Sequence, residues 1–493
     1  MFGTYIGFGF RAFRMELGSV IRVVIAIFRT DALFSDAGIA ITVHLPNESF
    51  HSLGIRTCFR DTNFQMIIHG KLFGGQSFLT FIELAKRYGD VVSLKLVMTG
   101  VVVLNSLDAV REALVKKSVD FACRQAKDVV ADYASGKNLQ SQVHESLKDI
   151  IAELSEMEGR VVNLEDYIYK LVYNVICSAA FGVRHSMDDE EFNTLMKVKK
   201  DANEMFAQRV LVDVYPSLRF LPLRTKNTMY KITEQFLGIM QRHLEQHRET
   251  FDPSNLRDIT DHMIKAQKDA EEEGIHDVTS LTDTHLRQIM SDIFAGGTDT
   301  TIMTLRWAIL FLAAHPEIQE KGAAELDGAV GRDRLPELSD REATPYTEAT
   351  IHEVMRMGSI SPLSLPHATT ADTTLRGYQI PKGTWIMPNL WALHHDPATW
   401  GDPDVFRPER FLDENGKPVP KPAALMPFSA GRRACPGEAV AKANIFLLLG
   451  GLVQNFRFRI PEGEGAPDLT PDEKAGGGAS QPSPYKVVMT CRK

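Results

Sequence analysis

Cys435 stands in the run Met426-Pro-Phe428-Ser-Ala-Gly431-Arg-Arg433-Ala-Cys435-Pro-Gly437, and an apolar helical pattern follows from Ala439 to about Val453. Proline suits the first position of a helix, so this spacing predicts a thiol at a helix N-terminus. Unpaired N–H groups and the dipole at such an end lower a thiol's pKa and favour thiolate. A thiolate can serve haem iron as an axial ligand. Taken alone, a free cysteine reads better as a small buried hydrophobe. The chain has five, Cys58, Cys123, Cys177, Cys435 and Cys491, with no C-x-x-C among them. The odd number and wide spacing give neither a disulfide framework nor a zinc signature.

A second set lies in Ala295-Gly296-Gly297-Thr298-Asp299-Thr300-Thr301, inside the longest helical pattern, about Thr282 to Ala314. A Ser280-x-x-Asp283 capping box is expected to open this helix, and His315-Pro316 to close it. Glycine inside a helix costs about 1 kcal/mol relative to alanine, so two of them ask for a flat ligand or a bend against a cofactor. The hydroxyls either bond back to the preceding turn or hold water at a local bulge. A kinked core helix is the plain alternative. Glu353 and Arg356 share a face at i, i+3 on a helix expected from about Thr347 to Met357. An exposed pair of that kind is worth only about 0.3–0.5 kcal/mol.

Together these residues carry a family resemblance. Phe428, Gly431, Arg433, Cys435 and Gly437 complete F-x-x-G-x-R-x-C-x-G, which resembles the haem-binding signature of the cytochrome P-450 superfamily of haem-thiolate monooxygenases. Gly296 to Thr301, as G-G-x-D-T-T, is similar to that family's oxygen-activation motif. Glu353-x-x-Arg356 resembles its E-x-x-R motif, and Phe406-Arg407-Pro408-Glu409-Arg410-Phe411 resembles its P-E-R-F segment. The resemblance implies a mainly α fold with small β-sheets (α+β), with haem between the long central helix and the Cys435 loop. It makes Cys435 the metal ligand and sets Arg433 and His367 on the propionates. It counts Phe428 among the cofactor-binding residues, while Gly431 and Gly437 let backbone approach the porphyrin closely. By the same resemblance Thr300 holds bound oxygen and water, Asp299 relays protons, and Glu353, Arg356 and Arg410 form a buried network that fixes the loop. Ala295, Gly296, Ile360 and Leu363 would line the substrate pocket.

The activity so implied inserts one atom of dioxygen into a lipophilic substrate. Its cofactors would be haem b (iron protoporphyrin IX) and dioxygen, with NADPH used indirectly through NADPH–cytochrome P-450 reductase and cytochrome b5 as a further partner. Runs such as Leu211–Pro216 and Ser361–Thr370 look most like animal microsomal members that act on steroids or aromatic xenobiotics. Two rival readings are a reductase-independent haem-thiolate isomerase or dehydratase, and a catalytically impaired haem-binding protein. The intact Asp299-Thr300 pair argues against the isomerase, which needs no oxygen-protonation relay.

The bulk numbers set the frame. The chain has 493 residues, 44% hydrophobic and 24% charged, with a net charge of −8 and no basic stretch that would track phosphates, so nucleic acid is not an expected partner. Length alone suggests several domains, but no linker is visible, and one family domain over 71–493 is expected. Residues 1–70 fall outside the resemblance and show no clear anchor; the longest apolar run, Val20 to Phe28, is interrupted by Arg22. A bilayer span takes about 20 apolar residues. By resemblance the site of action is the cytosolic face of the endoplasmic reticulum membrane, with peripheral association, while a soluble or mitochondrial location suits the missing anchor. One departure stands out. The family's W-x-x-x-R helix, which reaches a propionate, has no counterpart: no Trp or Arg occurs between Arg124 and Arg160.

Overall fold

The computed structural model describes residues 77–96, 99–121, 137–186, 189–198, 224–273, 282–472 and 479–492. The expectations for 1–70, for Leu211–Pro216 and for Ser280 fall outside them.

Helix α1 (Ser77–Tyr88) stops at Gly89, whose φ of +101° glycine adopts without steric cost. Strands β1 (Val91–Leu96) and β2 (Thr99–Leu104) pair antiparallel with Leu96 opposite Thr99. Thr99 and Gly100 therefore belong to the second strand. Helix α2 (Leu107–Arg111) is capped by the Ser106 hydroxyl, which accepts the Ala109 N–H, and widens into a π turn over Glu112–Lys116.

Helices α3 (Lys137–Ser155), α4 (Glu165–Phe181), α5 (Arg224–Glu249), α6 (Ile259–Glu272) and α7 (Asp283–Ala314) follow, with the short strand β3 (Val161–Val162) before α4. Thr282, not Ser280, caps α7: its side chain accepts the His285 N–H. Helix α6 escaped the sequence reading although Asp258 caps it, accepting the Asp261 N–H at 3.0 Å. After α8 (Pro316–Ala329) and α9 (Pro345–Gly358) come β4 (His367–Ala368), β5 (Thr373–Leu375) and β6 (Tyr378–Ile380). Strands β5 and β6 form a hairpin. Arg376 (φ +51°) and Gly377 (φ +81°) make its two-residue turn, both left-handed as a tight hairpin demands.

Strand β7 (Trp385–Pro388), the short helices α10 (Leu390–His394) and α11 (Pro397–Trp400), the long α12 (Glu438–Asn455), and the strands β8 (Phe456–Arg459) and β9 (Val487–Cys491) complete the chain. The larger sheet runs β1-β2-β7-β4 and the second β3-β9-β8. Strand β7 joins β2 in parallel and holds β4 on its other side, pairing His367 with Ile386; this fixes where His367 can reach.

The main core surrounds the second half of α7, where Leu305 to Ala313 are buried without a break, and α4, α9 and α12 pack on it. A helix apolar all round belongs in a core. A smaller core lies between the larger sheet and Leu114, Trp400, Phe411 and Ala424. The mainly α fold with small sheets is the expected class.

Candidate active site

The loop before α12 is built by its own backbone. The Cys435 N–H donates to the Phe428 carbonyl at 2.9 Å, the Ser429 N–H to Met426 at 3.0 Å, and the Ala434 N–H to Gly431 at 3.1 Å. Gly431 has φ +74°, and a Cβ there would lie 1.8 Å from the Leu114 carbonyl oxygen. Contact with the π turn is thus a demand for glycine at Gly431 that its sequence neighbours do not show. Gly437, the N-cap of α12, has an ordinary φ of −91°, and a Cβ there would meet only the Cys435 Sγ, at 3.9 Å. Phe428 packs against the main core under the Lys442 ammonium, 5.5 Å from its ring centre.

Cys435 is open on one side. The protein around its sulfur nevertheless pushes the thiol pKa up by desolvation; the Gly437 N–H opposes this and the Glu438 carboxylate adds to it. The expected lowering by the helix dipole is not found. Helix α12 begins only at Glu438, and that first residue is an acid. Arg433 is half-buried nearby and exerts its charge on His367. The His367 Nδ1 lies 3.2 Å from the Phe121 carbonyl, which only accepts, so Nδ1 carries the proton and Nε2 is left for the site. Burial, chiefly, and Arg433 lower the His367 pKa while the Phe121 carbonyl resists, so the cation of this pair is Arg433.

Glu353, Arg356 and Arg410 do form one network, and it is buried. Glu353 and Arg356 are both fully covered and joined by two 2.8 Å hydrogen bonds. Glu353 Oε1 also accepts from Arg410 Nε and from the Arg407 N–H, each at 2.9 Å. Arg356 donates to the His394 carbonyl at 2.8 Å, and Arg410 to the Trp400, Asp402 and Val405 carbonyls at 2.7, 2.7 and 2.9 Å. A fully buried pair held by this many further hydrogen bonds belongs to a different class from the solvated i, i+3 pair.

On α7 the two glycines part company. A Cβ on Gly297 would come within 3.0 Å of Ile176 Cδ1 on α4, whereas one on Gly296 would meet nothing within 4 Å. Ala295, Gly296 and Thr300 are exposed in mid-helix while Phe294 and Thr298 are buried. The Thr300 hydroxyl donates back to the Gly296 carbonyl at 2.7 Å, and α7 stays helical without a bulge. Of the two fates the sequence allowed, back-bonding is the one adopted. Asp299 is half-buried and, next to burial, is the largest cause raising the pKa of Tyr169 to about 12; it raises that of the buried Tyr173 as well. Ile360 is half-buried, and its carbonyl accepts the Ser480 N–H at 2.9 Å, tying its loop to the C-terminal turn. Leu363 is buried, and Leu365, 77% exposed, is the open apolar side chain of that loop.

A family model described as Cytochrome P450 matches residues 61–145 and 132–489. The steroid 17-alpha-hydroxylase/17,20 lyase of Rana dybowskii is 34% identical over 449 residues, covering 84% of this chain and 86% of that protein. Cytochrome P450 1A5 of Gallus gallus is 33% identical over 437 residues, 80% and 82% of the two chains. Cytochrome P450 1A1 of Felis catus is 32% identical over 446 residues, 82% and 86%. The chain belongs to the cytochrome P450 family. It is a monooxygenase of that family, whose chemistry uses haem and dioxygen, a redox partner and a lipophilic substrate.

The residues of this P450 fit a haem. Among the described cysteines Cys435 alone is exposed, Cys177 being buried and Cys491 half-buried. Metal ligation deprotonates a thiol outright, so its raised pKa is no obstacle. Arg433, two residues from Cys435, and His367, which feels the Arg433 charge, offer a cation and an imidazole nitrogen, and α7 has an exposed face in which Gly296 has room. Sequence reasoning missed Leu114, Tyr169, Tyr173, Ser359 and His394. Apart from tyrosine and histidine being titratable, nothing in the local sequence marks them.

Proposed function

We propose that this P450 oxygenates steroid-like or aromatic xenobiotic substrates with electrons from NADPH, delivered through NADPH–cytochrome P450 reductase and assisted by cytochrome b5. The observation that carries the reading is the open mid-helix face of Ala295, Gly296 and Thr300, together with the coupled Ile360 and Ser480 turns. A flat ligand suits a helix face without a side chain at Gly296. The similarity to a steroid hydroxylase and to 1A enzymes supports this class.

Bound there as haem b, with Cys435 as its iron ligand, the cofactor supplies the oxygen-activating redox centre. The chain supplies the rest. Arg433, assisted by His367, holds the propionates; Phe428, Gly431 and Gly437 shape the Cys435 loop; Glu353, Arg356 and Arg410 hold it rigid. The Thr300 hydroxyl donates to Gly296, so its lone pairs accept from a water or acid on the open face. Asp299 passes protons toward that hydroxyl from the α4 side. Ala295, Gly296, Ile360 and Leu365 contact substrate, with Leu363 behind them.

Lys442 and Arg341 lie close to Lys421: burial first, then these two cations, lower its pKa, while Glu348 and Glu438 oppose them. Arg341 is paired with Glu348 and Lys442 with Glu438, so beside exposed Arg432 this surface carries both signs of charge. The family match from 61 onward supports a domain filling 71–493, and its two pieces, meeting at 132–145, support a missing W-x-x-x-R helix. Action at the cytosolic face of the endoplasmic reticulum, by peripheral association, rests on resemblance; no described helix is long and apolar enough to cross a membrane.

A reduced, CO-treated spectrum should show the red-shifted Soret band of thiolate-ligated haem; its absence would favour the impaired haem binder. Turnover of steroids and polycyclic aromatics that requires NADPH and reductase is then expected. Conversion of a peroxide without reductase would favour the isomerase.

A further inference from the structure

We propose that His394 is a positioning residue that transmits the Glu353–Arg356–Arg410 network to the Cys435 loop by accepting the Met426 N–H. His394 is the last residue of α10 and is 1% exposed. Three partners from two segments converge on it. Its carbonyl accepts from Arg356 Nη1 at 2.8 Å. Its Nδ1 lies 2.9 Å from the Ser359 hydroxyl at the end of α9, and its Nε2 lies 3.1 Å from the Met426 nitrogen. The Met426 carbonyl in turn accepts the Ser429 N–H, and the Phe428 carbonyl accepts that of Cys435. A chain of hydrogen bonds thus runs from the buried arginine to the backbone of the loop.

The tautomer follows from the partners. A backbone N–H only donates, so Nε2 is the unprotonated acceptor; Nδ1 carries the proton and donates to the Ser359 oxygen. Ser359 is 2% exposed and holds φ +38°, a left-handed conformation that serine seldom adopts, at the C-cap of the helix that bears Glu353 and Arg356. No hydrocarbon side chain of similar size meets both polar partners. Protonation would turn Nε2 into a donor facing a donor, and burial above all holds the imidazole neutral, with its pKa near 3. The adjacent His395 does something else: its ring stacks on Trp391 at 3.8 Å.

The inference rests on Cys435 being the iron ligand, and the experiment separates the two ideas. In the full chain, His394→Phe keeps a ring but no acceptor, whereas His394→Gln places an amide oxygen near the Nε2 position. His394→Asn can reach Ser359 but not Met426, and answers the question if the phenylalanine variant does not fold. Amide hydrogen exchange at Met426 and the rate at which the reduced CO complex converts from its red-shifted thiolate band to a thiol band in dilute urea are measured. The Phe and Asn variants should lose Met426 protection and convert about tenfold faster, as expected for one unmet buried donor. Gln should stay within about twofold of the parent. Parent-like exchange and conversion in Phe or Asn, or a Gln variant as impaired as Phe, would overturn the proposal. A parent without any thiolate band would refute the Cys435 reading instead, and exchange at Met426 would still decide whether His394 holds the loop.

Discussion

Gly431 approaches Leu114 so closely that a Cβ on the glycine would sit 1.8 Å from the Leu114 carbonyl oxygen, and its φ is +74°. Both facts exclude an L side chain, and backbone cannot step aside as a rotamer can. Gly431→Ala should therefore cost at least about 2 kcal/mol in urea unfolding and deplete the thiolate band. Gly437→Ala, with an ordinary φ and only van der Waals contact with the Cys435 Sγ, should cost no more than about 1 kcal/mol, the loss of a glycine at an N-cap. Equal effects at the two positions would refute the Leu114 explanation.

Glu353 accepts from two guanidinium groups and a backbone N–H in a fully buried site. Glu353→Ala leaves Arg356 and Arg410 without their anion, which should cost about 3–5 kcal/mol. Arg356→Lys should also fail, because an ammonium cannot make two parallel bonds to Glu353 and a third to the His394 carbonyl. Urea midpoints near the parent value in both variants would show the network to be dispensable.

What the sequence revealed about the site was what lies close along the chain. The string around Cys435, Glu353 with Arg356, and the polar cluster on α7 are local patterns, and the helices that bear them were legible from periodicity. The function of each glycine was not. Gly431 answers to Leu114 and Gly297 to Ile176, both distant in sequence, so neither partner could be read from spacing. His394 escaped for the same reason, since its partners Ser359 and Met426 come from separate segments. The lowered thiol pKa expected at Cys435 is outweighed first by burial of the sulfur and then by the Glu438 carboxylate, and the helix itself begins only at Glu438.

Gly296 and Gly297 should respond oppositely to alanine. Gly297→Ala presses on Ile176 and should destabilise the α4–α7 contact, whereas Gly296→Ala should stabilise the helix by up to about 1 kcal/mol. The added methyl would also stand on the open face, so substrate-induced spectral shifts should need higher substrate concentrations. Unchanged substrate binding in Gly296→Ala would remove that residue from the pocket.

Thr300 donates its hydroxyl proton to Gly296, so the group can only accept from a proton source on the open face. With reductase and a turned-over substrate, Thr300→Ala should release several-fold more peroxide per NADPH, while Thr300→Ser should resemble the parent. Unchanged coupling in Thr300→Ala would count against the relay.

His352 and His394 are buried and His395 is half-buried, with pKa values lowered, chiefly by desolvation, to about 4, 3 and 3. An unfolded histidine titrates near 6.5. Between about pH 6.5 and 4 the unfolded chain therefore binds protons that the folded chain refuses, and stability falls as pH falls. Each such group contributes about 1.4 kcal/mol per pH unit to that slope. His247 acts in the opposite sense: against the cost of burial, Asp258 at 2.7 Å raises its pKa. That contribution is complete below about pH 6.5 and is lost as pH rises through the folded-state value. Stability should consequently decline on both sides of neutrality. His352→Gln, which removes one imidazole beside Phe411 without touching the Cys435 loop, should reduce the acid-side slope of the urea midpoint by one histidine's share. A slope that persists in full would mean that His352 takes up its proton while folded.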